Sequence, residues 1–177
     1  MLRLNSVFAG YDKGDVIQGI TLDTAPGEIV GLVGSNGSGK STLLKTILGL
    51  LKTRRGEITW KNQNLHSLPA RDRAQIVSLL ESQPTVEFSM SVSELLRVSN
   101  TNLSPQEQNN LLALVDLTTH AQRDCLTLSS GELKRAFIAH TLASNAKVIL
   151  LDEPFAQLDW PHQKRLATTM STWAKEK

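Results

Sequence analysis

The sequence predicts an α/β fold in which helices cover a mostly parallel sheet. Apolar segments of strand length alternate with segments of helical pattern along the chain. Residues 29–33 are apolar throughout, which is typical of a strand covered on both faces. A glycine-rich stretch follows this segment and precedes a helical pattern. We therefore expect a loop at the carboxyl end of a central strand.

The first part of the chain is predicted to be rich in strands. Residues 2–8 alternate apolar and polar side chains, as a half-buried strand does, and a turn-rich link at 9–15 leads to a second strand at 16–23. Pro26 and Gly27 predict a turn. The next predicted elements are a strand at 29–33, a helix at 42–51, a strand at 56–61, a turn at 62–64, a short helix at 70–75 and a strand at 76–80.

The middle of the chain is predicted to form a helical insert between two strands. Ser104, Pro105 and Glu107 mark a helix start, with a capping serine, a proline in the first turn and a glutamate three residues after the cap. The other predicted elements are helices at 91–99 and 129–144, a strand at 147–151 and a last helix from Pro161. The predicted domain is a core of residues 1–80 and 125–177 with a helical subdomain at about 82–124.

Composition limits the classes of protein to consider. The 177 residues suffice for one domain, and 40% apolar with 20% charged residues is ordinary for a soluble protein. With 19 basic and 17 acidic residues and only 5% aromatics, no nucleic-acid partner is expected. One cysteine, Cys125, fits a reducing compartment. Without a long apolar run or a signal peptide, we expect a cytoplasmic protein that reaches a membrane only through partners.

The stretch GSNGSGKST at 34–42 fits the phosphate-loop pattern G-x-x-x-x-G-K-[ST]. Its backbone N–H groups and the following helix N-terminus can hold phosphate oxygens. Lys40 is expected to reach the β- and γ-phosphates, and the Ser41 hydroxyl to hold Mg²⁺. A plain glycine-rich turn is less favoured, because a strand pattern precedes the stretch and an apolar helix follows it. The predicted nucleotide-binding residues here are Gly34, Ser35, Asn36, Gly37, Ser38, Gly39, Lys40, Ser41 and Thr42.

A second motif is the acidic pair Asp152 and Glu153, which directly follows the apolar strand predicted up to residue 151. A carboxylate at the tip of a buried strand beside a phosphate loop can reach Mg²⁺, a role that suits Asp152. Glu153 is the candidate general base for an attacking water. The alternative is a strand that ends at a solvated Asp-Glu turn, and the phosphate loop upstream makes that alternative less favoured.

Ser129 and Glu132 precede a helical pattern and are spaced as a capping box. The same small residues at a helix N-terminus can also form a second anion site. Spacing alone leaves both interpretations open.

Together these motifs resemble the nucleotide-binding domain of an ABC transporter. Residues 34–42 resemble its Walker A motif, LSSGE at 128–132 its LSGGQ signature, VILLDEP at 148–154 its Walker B motif and AQLD at 156–159 its D-loop. The resemblance implies a P-loop NTPase fold with antiparallel strands at the N-terminus. Tyr11 lies where the family places the aromatic residue that stacks on adenine, and Val16 is predicted to share that part of the nucleotide site.

The resemblance also implies ATP and Mg²⁺ as ligands and a head-to-tail dimer of two such domains. Ser129, Gly131 and Glu132 would then face the γ-phosphate of the ATP that the other subunit binds. Asp159 would contact the opposite subunit. The helical insert would dock on a permease subunit at the inner face of the membrane.

The family places a glutamine, the Q-loop residue, after the strand predicted at 76–80. Strict alignment gives Glu81 at that place, and Gln83 comes two residues later. Gln83 is slightly preferred as the residue that approaches the metal and the attacking water.

Details of the motifs are similar to importers of iron–siderophore complexes, haem or cobalamin, and less so to haem-exporter ATPases. The family also expects a further strand and then a histidine that contacts the γ-phosphate. Only 24 residues follow Glu153, so the expectation is a chain without that histidine and strand. An alternative function is therefore a module that binds ATP but hydrolyses it poorly or not at all.

Overall fold

The computed structural model describes residues 1–12 and 14–175 and confirms the predicted α/β class. Strands and helices alternate over most of the chain. The strands are β1 (Leu2–Tyr11), β2 (Gly14–Asp23), β3 (Arg55–Trp60), β4 (Gln63–Asn64), β5 (Val77–Leu80) and β6 (Val148–Leu151). The helices are α1 (Lys40–Leu48), α2 (Ala70–Ile76), α3 (Val92–Ser99), α4 (Pro105–Leu114), α5 (Ser130–Ala143) and α6 (Trp160–Lys175).

The N-terminal strands form an antiparallel sheet in the order β2-β1-β3-β4. β1 and β2 make a hairpin whose last pair is Tyr11 with Gly14, so the turn-rich link predicted at 9–15 is wrong for most of its length. The glycine that predicted a turn instead lets the two strands pair closely, because a Cβ on Gly10 would lie 2.0 Å from the Gly14 carbonyl oxygen. Lys13 of that link lies outside the described residues. This sheet carries β1, which ends at the tyrosine proposed to stack on adenine.

β5 and β6 form a separate two-stranded parallel sheet, with partners running from Val77 with Val148 to Leu80 with Leu151. Because the strands are parallel, their carboxyl ends lie at the same edge. The chain that follows β5 and the acidic residues that follow β6 therefore emerge side by side.

The strand predicted at 29–33 is wrong for this structure. The segment joins no strand ladder, Ile29 is 60% exposed and Val33 is 99% exposed. An apolar run predicts a buried strand only if neighbouring strands cover it, and in the described residues the parallel sheet consists of β5 and β6. The phosphate loop consequently follows an exposed segment without secondary structure rather than a central strand.

Two apolar cores support these elements. One lies between the antiparallel sheet and α1, and includes Leu4, Val7, Leu43, Ile47 and Ile58. The other joins the helices of the middle of the chain to α5, and includes Leu96, Leu112, Leu117, Ile138 and Leu142. Cys125 is buried in this second core, as a structural thiol would be, and its burial raises its pKa.

Within residues 1–12 and 14–175, we find no helix that combines the length and the apolar character needed to cross a membrane.

Candidate nucleotide site

The phosphate loop leads directly into α1, which begins at Lys40, two residues before the predicted start. Gly39 precedes the helix with φ of 96°, a left-handed conformation that side chains disfavour. A Cβ at this position would lie 3.1 Å from Cγ1 of Val16. The loop therefore packs against β2, and this contact places Val16 beside the phosphate loop.

Contacts within the loop hold its residues close together. A Cβ on Gly34 would lie 2.6 Å from the Ser38 hydroxyl oxygen, so only glycine fits without a shift of Ser38. Lys40 Nζ donates hydrogen bonds of 2.8 Å to the carbonyl oxygens of both Gly34 and Ser35. These bonds hold the ammonium over the loop, where it can contact a bound phosphate. Thr42 is buried in α1, whereas residues 34–38 are exposed.

One cleft brings the start of α1 together with the ends of β5 and β6. Asp152, at the end of β6, is 8% exposed, and its N–H donates to the Leu80 carbonyl oxygen at 2.9 Å. This bond extends the pairing of the two strands by one residue. The cleft is lined by Ser41, Leu44, Lys45, Leu79, Glu81, Ser82, Gln83 and Asp152.

The oxygen ligands of this cleft fit a Mg²⁺ ion. The Ser41 hydroxyl and the Asp152 carboxylate line the same space, and both are ligand types that hard cations prefer. In the described part of the chain, no group of three or more His, Cys, Asp or Glu residues is placed to hold a metal ion. Mg²⁺ is typically held by one or two protein carboxylates together with substrate phosphates, so this set agrees with a metal carried by a nucleotide.

Both candidates for the Q-loop residue line this cleft. Glu81 and Gln83 are exposed and follow β5 directly. The structure thus places either side chain near Ser41 and Asp152, and the slight preference for Gln83 stays a prediction.

Glu153 has an unusual backbone conformation for a residue with a side chain. Its φ is 48°, in the left-handed region, and such strain costs about 1–3 kcal/mol. Its carbonyl oxygen accepts from the Ala156 N–H at 3.1 Å in the turn that follows. Six other non-glycine residues among the described ones share this left-handed conformation, so the role of Glu153 as general base stays a prediction.

The LSSGE stretch forms the capping box that its spacing predicts. Ser129 caps α5: its hydroxyl accepts from the Glu132 N–H at 3.3 Å, and the Glu132 carboxylate accepts from the Ser129 N–H at 2.8 Å. The same carboxylate lies 3.3 Å from His120 Nε2 and 3.5 Å from Arg123 Nη1. Hydrogen bonds from the Ser129 N–H and hydroxyl lower the pKa of Glu132, and the charge of the Arg123 guanidinium lowers it further.

The signature stretch and the D-loop stretch are neighbours in this chain. A Cβ on Gly131 would lie 3.2 Å from the Gln157 carbonyl oxygen, so a side chain at 131 would crowd the D-loop. Asp159 is exposed and interacts with the backbone and ring of His162, which lowers the pKa of its carboxyl. Among the described residues, no hydrogen bond or ion pair joins Ser129–Glu132 to the phosphate loop.

Tyr11, at the end of β1, is 51% exposed and free to contact a flat ligand. Its carbonyl oxygen accepts from the Arg54 guanidinium, which also pairs with Asp15 at 3.3 Å. The sequence analysis does not predict this support for the hairpin. Pairing across 39 residues leaves no local pattern, so only the fold reveals it.

A phosphate loop, an acidic strand end and a capped signature helix together define an ATP-binding P-loop domain. A sequence model described as ABC transporter matches residues 17–156. The chain belongs to the ABC transporter family, and it is an ATP-binding chain of that family.

Individual relatives differ in what they transport. The chain is 38% identical over 168 residues to the lipopolysaccharide export system ATP-binding protein LptB of Acidithiobacillus ferridurans. The alignment covers 90% of this chain and 69% of that protein. It is 34% identical over 172 residues to the petrobactin import ATP-binding protein FpuD of Bacillus anthracis, and the alignment covers 92% of this chain and 63% of that protein. It is 32% identical over 179 residues to the hemin import ATP-binding protein HmuV of Shewanella denitrificans, and the alignment covers 95% of this chain and 70% of that protein.

A solved structure shows the same fold. The ATP-binding protein of a putative ABC transporter from Pyrococcus furiosus superimposes with a TM-score of 0.88 at 28% identity, over 99% of this chain and 86% of that one. The prediction of a P-loop NTPase fold with antiparallel N-terminal strands is confirmed.

The lowered pKa of Glu132 predicts a pH-dependent contribution to stability. A carboxyl whose pKa is lower in the folded state stabilises the protein above its unfolded pKa, and this contribution is lost as the pH falls through the folded pKa. We expect Glu132→Gln to have a lower free energy of unfolding than the unsubstituted protein at pH 7. The difference should shrink as the pH falls below about 4, in urea unfolding followed by circular dichroism.

Glu107→Gln is the matched control for this titration. Glu107 belongs to the capping box of α4, where the Ser104 hydroxyl and N–H lower its pKa, but no basic side chain pairs with it in the described part of the chain. It should show the same pH window with a smaller effect. A difference for Glu132→Gln that is constant from pH 7 to pH 3 would contradict the assignment.

Proposed function

We propose that this chain hydrolyses ATP at a head-to-tail dimer interface and thereby drives transport by a membrane complex. The observation that carries the proposal is the cleft in which Ser41, Asp152 and the segment at 81–83 meet beside the phosphate loop. This arrangement combines phosphate binding, a metal site and a place for the attacking water within one chain.

Within one chain, each of the predicted residues then has a separate task. Lys40 and the N-terminus of α1 bind the phosphates, and Ser41 with Asp152 holds the Mg²⁺ that neutralises their charge. Glu153 accepts the proton of the attacking water, while Gln83 orients that water and the metal. Tyr11 stacks on the adenine, with Val16 beside the loop.

The second half of the site comes from another copy or a similar domain. Ser129, Gly131 and Glu132 meet the γ-phosphate of the ATP bound by the other subunit, and Asp159 contacts that subunit. The N-terminus of α5 supports this proposal because its N–H groups and dipole favour an anion. The proximity of Gly131 to the D-loop backbone allows both motifs to contribute to one interface.

The proposed cargo is an iron–siderophore complex, haem or cobalamin, taken up through permease subunits. The similarity to the petrobactin and hemin import proteins supports uptake, and the hemin import protein supports haem among these cargoes. Residues 1–80 and 125–177 would form the catalytic core, with the helical subdomain at about 82–124 docked on a permease at the inner face of the membrane. Export is the second candidate, because the similarity to the lipopolysaccharide export protein is of the same order.

The hydrolysis proposal predicts that Glu153→Gln abolishes steady-state phosphate release but preserves ATP binding. The amide keeps the size of the side chain but cannot accept the water proton, and loss of a general base costs about 10²–10⁴-fold in rate. Phosphate release and ATP titration with the same protein, with Glu57→Gln as an exposed control on β3, separate the two effects. ATP binding without phosphate release by the unsubstituted chain would instead support the non-hydrolysing alternative.

The uptake proposal predicts which genes adjoin this one. A permease gene and a gene for a secreted substrate-binding protein are expected beside it, because a binding protein delivers the cargo to such importers. Sequencing the flanking DNA checks this. Adjoining genes for outer-membrane or periplasmic export components would contradict uptake and support export.

A further inference from the structure

Lys134 is the largest of the fully buried side chains, with 1% of its surface exposed. It lies on α5, five residues after the capping Ser129. A lysine is almost never fully buried unless partners compensate for its lost hydration. Its burial therefore requires an explanation that packing alone does not provide.

The Lys134 ammonium is bound by the backbone that follows β5. Nζ donates hydrogen bonds of 3.0 Å to the Glu81 carbonyl oxygen and 2.8 Å to the Ser82 carbonyl oxygen. Within the described residues, no carboxylate lies within 4.0 Å of Nζ. The cation thus binds neutral carbonyl groups and leaves the nearby acids free of a direct ion pair.

The bound segment has few other constraints. Residues 82–88 belong to no helix or strand, and among the described residues we find no backbone–backbone hydrogen bond that involves them. The bond from Lys134 to Ser82 is therefore the main directional restraint at the start of this segment. Glu81, Ser82 and Gln83 line the cleft that also contains Ser41 and Asp152.

The carboxylates of Asp152 and Glu153 act electrostatically on Lys134. Burial lowers the pKa of Lys134, and the carboxylates of Asp152 and Glu153 oppose that shift. The two acids proposed for the metal and the water are thus close enough to favour the ammonium form.

We infer that Lys134 is a positioning residue that links the signature helix α5 to the metal side of the nucleotide cleft. By holding the carbonyls of Glu81 and Ser82, it fixes where the side chains of Glu81 and Gln83 emerge relative to Ser41 and Asp152. A displacement of α5, which carries Ser129–Glu132 at its start, moves these side chains with it. The inference rests on the proposed hydrolysis of ATP in this cleft.

Lys134→Met tests the inference because it keeps an unbranched side chain of similar length and removes the donors. The variant avoids the desolvation cost of the buried charge, which offsets part of the cost of leaving two carbonyl oxygens without this donor, and circular dichroism checks that it folds. We expect the affinity for ATP without Mg²⁺ to stay within about two-fold, since the phosphate loop is untouched. We expect kcat to fall by about 10²-fold, as for a misplaced group near the reacting atoms, with a smaller change in KM.

Two further variants separate positioning from packing. Lys134→Arg retains the donors and should recover part of the lost kcat. His140→Leu is the matched control on the same helix: the His140 ring bonds the Leu95 carbonyl oxygen at 2.8 Å, away from the cleft. This control should alter stability without changing the dependence of activity on Mg²⁺ concentration, whereas Lys134→Met should shift that dependence to higher Mg²⁺.

Limited proteolysis keeps the test independent of hydrolysis. A glutamate-specific protease cleaves after an exposed glutamate such as Glu87, and it cuts faster where the chain leaves its folded position more often. Lys134→Met should increase the rate of cleavage after Glu87 in the nucleotide-free protein, while cleavage after Glu57 on β3 stays unchanged. If the unsubstituted protein binds ATP but releases no phosphate, the proposed hydrolysis fails, and the cleavage rate together with Mg²⁺-dependent ATP affinity still decides the role of Lys134. An unchanged cleavage rate after Glu87 with an unchanged Mg²⁺ dependence would overturn the inference.

Discussion

The candidate site depends on the parallel pairing of β5 with β6. The pairing continues one residue beyond the strands, where the Asp152 N–H donates to the Leu80 carbonyl oxygen at 2.9 Å. This hydrogen bond places a nearly buried carboxylate next to the chain that carries Glu81 and Gln83. Since both strands end at one edge, groups that lie far apart in sequence meet beside α1.

Backbone carbonyl groups bind the two lysines next to this cleft. Lys40 bonds the carbonyls of its own loop, and Lys134 bonds those of Glu81 and Ser82. Lys40 lies at the end of an exposed loop, where it can contact phosphates, whereas Lys134 is buried and can only hold its neighbours. By our proposals, a lysine thus binds the ligand at position 40 and maintains the shape of the cleft at position 134.

Local patterns predicted most of the elements and most of the site. The phosphate loop, the capping box of Ser129 and Glu132, and the acidic end of β6 each follow from residues a few positions apart. The strand at 29–33 could not be predicted correctly, because its burial depends on distant chain segments that must cover it. The bonds of Lys134 join residues 52 and 53 positions apart, and the pair of Arg54 with Asp15 joins residues 39 positions apart, so sequence spacing carries no signal for either.

Calorimetric titration with ATP and Mg²⁺ tests the central claim, that residues 34–42 and the adjoining cleft form a nucleotide site. The account predicts binding by the unsubstituted chain and by Lys52→Ala, an exposed control. Lys40→Ala should bind about 10- to 100-fold more weakly, since it loses charge-assisted hydrogen bonds to the phosphates. Equal affinity of Lys40→Ala and the unsubstituted chain would contradict the account.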